Sequence, residues 1–271
     1  MPPGPPFRIM GVLNVTPDSF SDGGRWLASD AAVAHARQLV GEGAELVDVG
    51  GESTRPGADP VAEAEELRRV VPVLERLADA GLGPRISIDT TKPAVAAAAA
   101  DAGATLVNDV TALRADPALA GLVVERGLSV CLMHMRGDPR TMQDDPRYDD
   151  VVSEVKGFLT ERLAFAVAQG IPEEHVLLDP GIGFGKRDEH NLELLRRLHE
   201  LSELGRPVVV GASRKAFLGR LAGGRGPEER LPGTIATCAL ALERGASVFR
   251  VHDVGPVRDA LAVAAATVGP R

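Results

Sequence analysis

Polar residues stand where several short apolar runs of the sequence end. Asp89 closes one such run, Asn108 closes the next, and Asp179 closes another further along the chain. An isolated charge is costly to bury, so a carboxylate at such a place needs N–H donors. A planar heterocycle with an amino-amidine edge offers a carboxylate two parallel donors. These residues therefore indicate a site for such a ring, although a helix cap or an internal ion pair would use the same residue types.

Arg250 and His252 indicate a second kind of chemistry, the binding of an anion. They are two residues apart in one apolar run, so on a strand their side chains lie on the same face. With Arg55 and the backbone N–H groups of Ser53 and Thr54, they would hold a phosphate or another oxyanion. A second interpretation stays open, in which Arg250 pairs with a nearby aspartate.

Two features are similar to known motifs without matching them. Residues 181–186, Gly-Ile-Gly-Phe-Gly-Lys, lack the spacing of a phosphate-binding loop and the acidic partner of a dinucleotide site. We interpret them as a turn that lets Phe184 and the backbone approach a flat ligand. Lys215 is a candidate for Schiff-base formation, but we expect solvent to keep it protonated, which favours a role as a hydrogen-bond donor. For His134, a core position and a supporting role at the site are equally open.

The elements that must position these residues alternate regularly along the chain. Short β-branched runs each precede a longer segment of helical period. The predicted strands are Arg8–Asn14, Glu45–Val49, Arg85–Asp89, Leu106–Val110, Ser129–His134, Val176–Asp179, Pro207–Val210 and Val248–His252. The predicted helices are Asp30–Glu42, Val61–Ala80, Pro93–Asp101, Pro117–Arg126, Asp149–Gln169, Asn191–Leu204, Thr234–Arg244 and Val257–Ala266.

This alternation predicts the α/β class and a TIM (β/α)8 barrel, which uses about 250 residues for its eight units. A doubly wound open sheet remains the alternative, because periodicity does not show whether a sheet closes. We expect a single domain over residues 1–271, with residues 1–7 as a flexible N-terminal segment. In a barrel the carboxyl ends of all strands share one rim, so the polar residues at the strand ends would converge on one pocket.

Composition excludes several other classes of protein. The chain has 30 basic and 38 acidic residues, a formal charge of −8 and no long basic run, which disfavours binding to nucleic acid or anionic membranes. No apolar run approaches the length of about 20 residues that a membrane-spanning helix needs, and no secretory signal is visible. Cys131 and Cys238 lie in apolar surroundings, which is typical of buried thiols in a reduced, cytoplasmic protein.

Seven segments, distributed over most of the chain, carry a more specific signal. They are Gly11–Gly24, Asp48–Gly57, Ile88–Thr90, Asn108–Val110, Leu178–Lys186, Ser213–Lys215 and Arg250–His252. Together and in this order they resemble the dihydropteroate synthase family, the folate-pathway transferases that sulfonamides target. The family's fold is a TIM barrel, usually assembled as a homodimer, which agrees with the independent count of strands.

The resemblance implies a transferase that joins 6-hydroxymethyl-7,8-dihydropterin diphosphate to p-aminobenzoate and releases diphosphate. It implies small-molecule substrates as partners and Mg²⁺ as cofactor. In the implied mechanism, charge on the departing diphosphate is stabilised by Mg²⁺, Arg250 and His252 as the C–O bond breaks. Asp89 would stabilise the cation left on the methylene carbon, so that no general base with a specially tuned pKa is required.

The resemblance also assigns roles by position. The pterin would be bound by Asp89, Asn108, Asp179, Phe184 and Lys215. The diphosphate would be bound by Thr54, Arg55, Arg250 and His252, and Mg²⁺ by Asn14. The p-aminobenzoate would contact Phe20, Pro56, Ser213 and Lys215. The loops after strands one and two would close over it, the first of them running from Pro17 to Gly24 and including Asp18. The catalytic residues would be Asp89, Lys215, Arg250 and His252.

One position departs from the family pattern. Ala216 follows Lys215 where the family often has a hydroxyl residue, which would remove a hydrogen bond of about 1 kcal/mol to the p-aminobenzoate carboxylate. Two other functions remain as alternatives: a methyltetrahydrofolate-binding methyltransferase domain, which needs no diphosphate site, and a pterin-binding protein without catalytic activity.

Overall fold

Short runs of aliphatic and β-branched residues form eight strands in the part of the chain that the structure describes. The structure is a computed structural model, and it describes residues 6–15, 24–55 and 57–269. The strands are β1 (Arg8–Asn14), β2 (Leu46–Gly50), β3 (Ile86–Asp89), β4 (Leu106–Asp109), β5 (Ser129–Met133), β6 (Val176–Asp179), β7 (Val208–Val210) and β8 (Ala246–Val251).

Helices separate these strands and cover the outside of the sheet. They are α1 (Gly24–Gly41), α2 (Glu63–Asp79), α3 (Pro93–Asp101), α4 (Ala118–Arg126), α5 (Val151–Ala168), α6 (Asp188–Arg196), α7 (His199–Ser202), α8 (Ala216–Leu221), α9 (Leu231–Glu243) and α10 (Val254–Val268). Local sequence explains several of their ends. The proline at Pro93 begins α3 at the first-turn position that tolerates it, and Gly127, with a φ of 61°, ends α4 in a left-handed conformation.

The sheet closes on itself. All neighbouring strands pair in parallel and in chain order, and β1 pairs both with β2 and with β8. In the β1–β2 pair Asn14 lies opposite Gly50, and in the β1–β8 pair Gly11 lies opposite Val251. The predicted TIM barrel is therefore confirmed, and the open-sheet alternative is wrong.

The inside of the barrel changes from apolar to polar within two residues along the strands. Apolar side chains fill its lower part: Met10, Leu106, Cys131, Leu177, Val209 and Val248. Residues two positions further on share the same face of a strand. On three of the strands these residues are the polar Asn108, Asp179 and Arg250, and on β2 the polar Asp48 follows Leu46, which packs against the same apolar layer. The apolar layer thus forms the floor of a polar site at the carboxyl end of the barrel.

Several element boundaries differ from the prediction. The region predicted as one helix over residues 191–204 contains α6 and the short α7. Helix α8 was not predicted as a separate element, because six residues are too few to show a helical period. Residues 1–5 of the predicted flexible segment lie outside the described residues, whereas Phe7 is buried and packs edge-on against Phe249, with ring centroids 6.4 Å apart. In residues 6–15, 24–55 and 57–269, no helix combines the length and apolar character needed to cross a membrane.

Candidate active site

An arginine held between two carboxylates lies at the centre of the polar rim. Arg250 of β8 donates from Nε to Oδ2 of Asp48 at 2.6 Å and from Nη2 to Oδ2 of Asp89 at 2.8 Å. The guanidinium has five N–H groups, so these two bonds leave three for a ligand. Arg250 therefore pairs with aspartates, as one interpretation of the sequence had it, and it keeps donors, so that the binding of an anion stays a prediction.

Asp48 is the residue of this network that sequence reasoning missed. Its side chain is fully buried, and besides Arg250 it accepts hydrogen bonds from Oγ of Ser87 at 2.5 Å and from Nδ2 of Asn108 at 3.0 Å. The amide of Asn108 is thereby oriented with its Nδ2 toward Asp48, so its Oδ1 is the group that can accept from a ligand. An acidic residue in the middle of the apolar strand β2 was the signal that could have identified it.

Asp89 holds its proton unusually tightly. Burial is the main cause that raises the pKa of this carboxyl to about 7, and the charge of Asp48 adds to it. The positive charge of Arg250 opposes the shift. Near neutral pH Asp89 therefore lies close to its titration point, and a cationic or N–H donor ligand would favour its ionised form.

Asp89→Asn is expected to weaken the pH dependence of folding stability. The unfolded chain loses this proton near a pKa of about 4, whereas the folded protein holds it to about 7, so stability falls as pH rises between these values. Asparagine does not titrate, and the fall between pH 5 and pH 8 should be smaller by roughly 2 kcal/mol. Urea unfolding at both pH values measures this, and an equal fall in both proteins would show that Asp89 is already ionised at pH 5.

Asp179 presents a carboxylate oxygen to the same space. Its Oδ1 accepts the backbone N–H of Gly181 at 2.6 Å, and burial is the main cause that raises its pKa. A Cβ on Gly211 would stand 4.0 Å from Oδ2 of Asp179 and 3.9 Å from Cβ of Arg250, so the glycine leaves room between them. Asp179 therefore has one oxygen fixed by the backbone, and its second oxygen is available to accept a hydrogen bond from a ligand.

Lys215 is less exposed to water than the sequence led us to expect. Burial, with a smaller contribution from Arg250, lowers the pKa of its ammonium to about 8. Its Nζ lies 3.9 Å from the centroid of the Phe184 ring, at the distance of a cation–π contact. The expectation that solvent keeps Lys215 protonated was wrong about the cause, because Lys215 is largely shielded from water and Asp179 and Asp89 supply the negative charge that favours its protonated form.

Backbone geometry aims Lys215 at the site. The preceding residue, Arg214, has a φ of 58°, in the left-handed region that non-glycine residues seldom adopt. Its guanidinium binds Asp253 with two bonds, from Nε at 3.0 Å and from Nη2 at 2.7 Å. Arg214 is thus directed to the loop after β8, while the next residue, Lys215, is directed toward the strand ends.

Ser213 and His252 lie together, although the resemblance gives them different substrates. Oγ of Ser213 accepts the backbone N–H of His252 at 3.2 Å and lies 3.1 Å from its Nδ1. When the hydroxyl donates to Nδ1, the ring proton is on Nε2. Burial, with the charges of Arg250 and Arg214, lowers the pKa of His252 to about 4, so at neutral pH it offers a hydrogen bond rather than a positive charge.

A partly buried ion cluster supports the segment after β2. Nζ of Lys92 donates to Glu52 and to Glu66, and the Glu66 side chain is completely buried. Glu52 opens the segment that contains Thr54 and Arg55, of which Thr54 is half-buried and Arg55 is exposed. The charge of Arg55 contributes to lowering the pKa values of Lys215 and His252, so this cation lies on the same rim.

The remaining predicted site residues lie partly outside the described residues. Asn14 is half-buried at the carboxyl end of β1, beside Gly50. Phe20 and Pro56 are not among residues 6–15, 24–55 and 57–269, and the same holds for Asp18. His134 is buried behind the turn that follows β6, and its pKa is lowered to about 2, chiefly by burial. Its position agrees with both of the roles that the sequence left open.

The arrangement combines two chemistries on one rim. Acceptors from Asp89, Asn108 and Asp179 can bind a ring with several N–H groups, and donors from Arg250, Lys215 and His252 can bind an anion. The chain as a whole is similar to known proteins. The family model described as "Pterin binding enzyme" matches residues 10–252. The dihydropteroate synthase of Escherichia coli strain K12 is 47% identical over 264 residues, which cover 97% of this chain and 93% of that protein.

The chain belongs to the dihydropteroate synthase family.

Solved structures agree with this membership. The dihydropteroate synthase of Xanthomonas albilineans with 4-aminobenzoic acid has a TM-score of 0.89 at 50% identity, covering 97% of this chain and 94% of that one. The same organism's enzyme in complex with 7,8-dihydropteroate has a TM-score of 0.86 at 46% identity, with coverage of 97% and 94%. The resemblance predicted from the seven segments, and the transferase class that it implied, are thereby confirmed.

Proposed function

We propose that this chain condenses 6-hydroxymethyl-7,8-dihydropterin diphosphate with p-aminobenzoate to give 7,8-dihydropteroate and diphosphate. The observation that carries the proposal is the junction at Arg250, where a guanidinium bound to Asp48 and Asp89 keeps three N–H groups free of these partners. A pterin that carries a diphosphate needs this combination, because its ring requires acceptors and its leaving group requires donors a few ångströms away.

Side-chain oxygens of the rim bind the N–H edge of the pterin ring. The unshared Oδ2 of Asp179 and the Oδ1 of Asn108 accept N–H groups from the ring edge, and Asp89 lies on the neighbouring strand. Phe184 packs against a Met-rich apolar cluster that includes Met135. Its phenyl ring supplies an apolar surface beside the pterin. Burial raises the pKa values of Asp89 and Asp179. Because the ring offers N–H donors at this side, its binding favours the ionised form of both carboxyls.

Hydrogen-bond donors of the rim then stabilise the leaving group. As the bond between the methylene carbon and the bridging oxygen breaks, the diphosphate keeps the electron pair, and Arg250 and His252 donate hydrogen bonds to its oxygens. Asp89 stabilises the positive charge that forms on the methylene carbon and the pterin. The amine of p-aminobenzoate forms the new C–N bond to this carbon and then loses one proton to solvent or to the released diphosphate.

Mg²⁺ is part of the proposal, with the substrate supplying most of its ligands. In residues 6–15, 24–55 and 57–269 no group of three His, Cys, Asp or Glu side chains could hold a metal ion. The amide oxygen of Asn14 is a suitable hard donor, and Mg²⁺ commonly combines one or two protein groups with phosphate oxygens and water. When bound, the ion would neutralise charge on the diphosphate.

Phe20→Ala is expected to raise the KM for p-aminobenzoate more than it weakens the binding of pterin diphosphate. Phe20 is an apolar residue suited to cover an aromatic ring, and Gly23 and Gly24 suit the hinge of a closing loop. Steady-state kinetics with each substrate varied in turn measure both effects. A larger effect on pterin diphosphate than on p-aminobenzoate would show that this loop serves the other substrate.

The function is tested by incubating the purified protein with pterin diphosphate, Mg²⁺ and p-aminobenzoate and measuring dihydropteroate by chromatography. We expect product only when all components are present. Transfer of a methyl group from methyltetrahydrofolate, with no reaction of the diphosphate, would favour the methyltransferase alternative. Binding of pterin with neither reaction would indicate a non-catalytic protein.

We also propose that the chain forms a homodimer and acts in the cytoplasm. The homodimer follows from the family resemblance, and sedimentation equilibrium at micromolar concentration tests it. The cytoplasmic assignment is supported by Cys131 and Cys238, which are both buried and unpaired.

A further inference from the structure

The turn after β6 contains a buried lysine that the proposed chemistry does not use. Lys186 ends the glycine-rich segment 181–186, and only 3% of its surface is exposed. The chain has only four lysines, Lys92, Lys156, Lys186 and Lys215. Burial lowers the pKa of Lys186 to about 7, and Lys215 and Arg136 act in the same direction, whereas Asp179 opposes them. Nothing in the binding of pterin, diphosphate or p-aminobenzoate requires this ammonium.

The hydrogen bonds of Lys186 connect the turn after β6 to His134. Nζ of Lys186 lies 3.0 Å from the carbonyl oxygens of both Gly181 and Phe184, and 2.9 Å from Nδ1 of His134. An ammonium has three N–H groups, so each of these acceptors can take one. The carbonyl oxygen of His134 is a fourth, longer contact at 3.4 Å, so two of the four contacts lie within the turn and two are made to His134, the residue that follows β5. Lys186 therefore links two carbonyl groups within the turn and connects the turn to the end of β5.

His134 is fixed so that it can receive this bond. Its ring is buried and packs edge-on against Phe158, with centroids 4.9 Å apart. Because its pKa is lowered to about 2, it is neutral at physiological pH, and its Nδ1 can accept while Nε2 carries the proton. The backbone of the turn packs closely against His134. Gly181 has a φ of 67°, and a Cβ on it would stand only 1.9 Å from the carbonyl oxygen of His134, so only glycine fits this position.

The turn places two groups in the pterin site. The N–H of Gly181 binds Oδ1 of Asp179 and leaves Oδ2 for the ligand. The ring of Phe184 lies against Nζ of Lys215. A shift of the turn would therefore move the Asp179 carboxylate, the Phe184 ring and the Lys215 ammonium together. Lys186 would thus affect all three groups without contacting the ligand.

We propose that Lys186 is a positioning residue of the pterin site, which sets the Gly181–Phe184 turn by binding its carbonyl groups. The proposal rests on the function proposed above. Its consequence is selective: removing the ammonium should impair the pterin side of the site and spare the p-aminobenzoate side. A lysine that served only the stability of the fold would affect both substrates alike.

Lys186→Met, which keeps an unbranched side chain one atom shorter and removes its N–H donors, tests the proposal. We expect the KM for pterin diphosphate to rise about tenfold or more and the KM for p-aminobenzoate to stay within about twofold. Lys156→Met is the matched control, because Lys156 lies on α5 and pairs with Glu203 at the surface. Thermal unfolding verifies that each variant is folded, and Lys186→Gln, which keeps two N–H donors, should lie between wild type and Lys186→Met.

Hydrogen exchange of the backbone amides reports on the turn without any substrate. In ligand-free Lys186→Met we expect faster exchange in the peptide that contains residues 181–185, and unchanged exchange in peptides from β1 and β2. Unchanged exchange in residues 181–185, or equal changes in the two KM values, would overturn the proposal. If wild type forms no dihydropteroate, the proposed function fails, and the exchange measurement still decides whether Lys186 holds the turn.

Discussion

Arg250→Ala should lower kcat by about 100-fold or more. Arg250 has three N–H groups that Asp48 and Asp89 do not use, and in the proposed mechanism they donate to the departing diphosphate. Groups that stabilise developing charge commonly contribute a factor of about 100 or more each. Because this stabilisation grows as the C–O bond breaks, its loss should act on kcat, whereas changes at the p-aminobenzoate end should act mostly on KM.

The same substitution should also destabilise the fold, and the loss should depend on pH. Without the guanidinium, Asp48 and Asp89 lose their shared cation in a buried place, which typically costs about 3–5 kcal/mol. The charge of Arg250 is what opposes the upward shift of the Asp89 pKa, so that pKa should rise above about 7 in the variant. The folded variant then binds more protons than the unfolded chain over a wider range, so its stability deficit should be larger at pH 8 than at pH 5.

Two further variants separate the effects on kcat and on stability. Arg250→Lys keeps a positive charge and should fold, but one ammonium cannot reproduce the planar set of donors that binds two carboxylates and a ligand. Its kcat should still fall about tenfold or more. Arg196→Ala, at a mostly exposed arginine of α6, should leave kcat unchanged. A folded Arg250→Lys with normal kcat, or an Arg250→Ala in which only KM changes, would remove Arg250 from the leaving-group site.

Asp179→Asn is expected to weaken pterin binding by about 1–3 kcal/mol. Asparagine keeps the shape of the side chain and can still accept the N–H of Gly181 through its oxygen. Its NH₂ group then stands in place of Oδ2 and presents a donor to a ring edge that is itself a donor. The loss should therefore appear in the affinity for the pterin, with little change in the KM for p-aminobenzoate.

Titration calorimetry with 6-hydroxymethylpterin measures this effect without catalysis. Asp101→Asn, at an exposed aspartate at the end of α3, is the matched control and should bind pterin as wild type does. If folded Asp179→Asn also binds with unchanged affinity, Asp179 does not contact the pterin.

The fold could be predicted because each strand of a parallel barrel is marked locally. Strands β1 and β6 have the predicted bounds, and the polar residues at the strand ends predicted a candidate site at one rim before the sheet was known to be closed. What local patterns do not contain is the pairing of distant residues across the barrel. Asp48 and Arg250 are 202 positions apart, and only closure through β1 brings β2 and β8 close enough for their ion pair.

Protonation states were equally hidden from the sequence. The lowered pKa of Lys215 and the neutral state of His252 arise from burial among neighbours on other strands, and no motif carries that information. The function of Lys186 was missed for a related reason. Its place after a glycine-rich turn was weighed against ligand-binding motifs, whereas its partners are the carbonyl groups of its own turn and a histidine on the preceding loop.

The most direct measurement is a single turnover in which diphosphate and dihydropteroate are quantified together. Enzyme in excess is mixed with pterin diphosphate and Mg²⁺, with and without p-aminobenzoate. We expect one dihydropteroate for each diphosphate when p-aminobenzoate is present, and slow release of diphosphate alone when it is absent, because the cations of the rim support departure of the leaving group. Diphosphate released in the presence of p-aminobenzoate without dihydropteroate, or no consumption of pterin diphosphate by the folded protein, would contradict the proposed condensation.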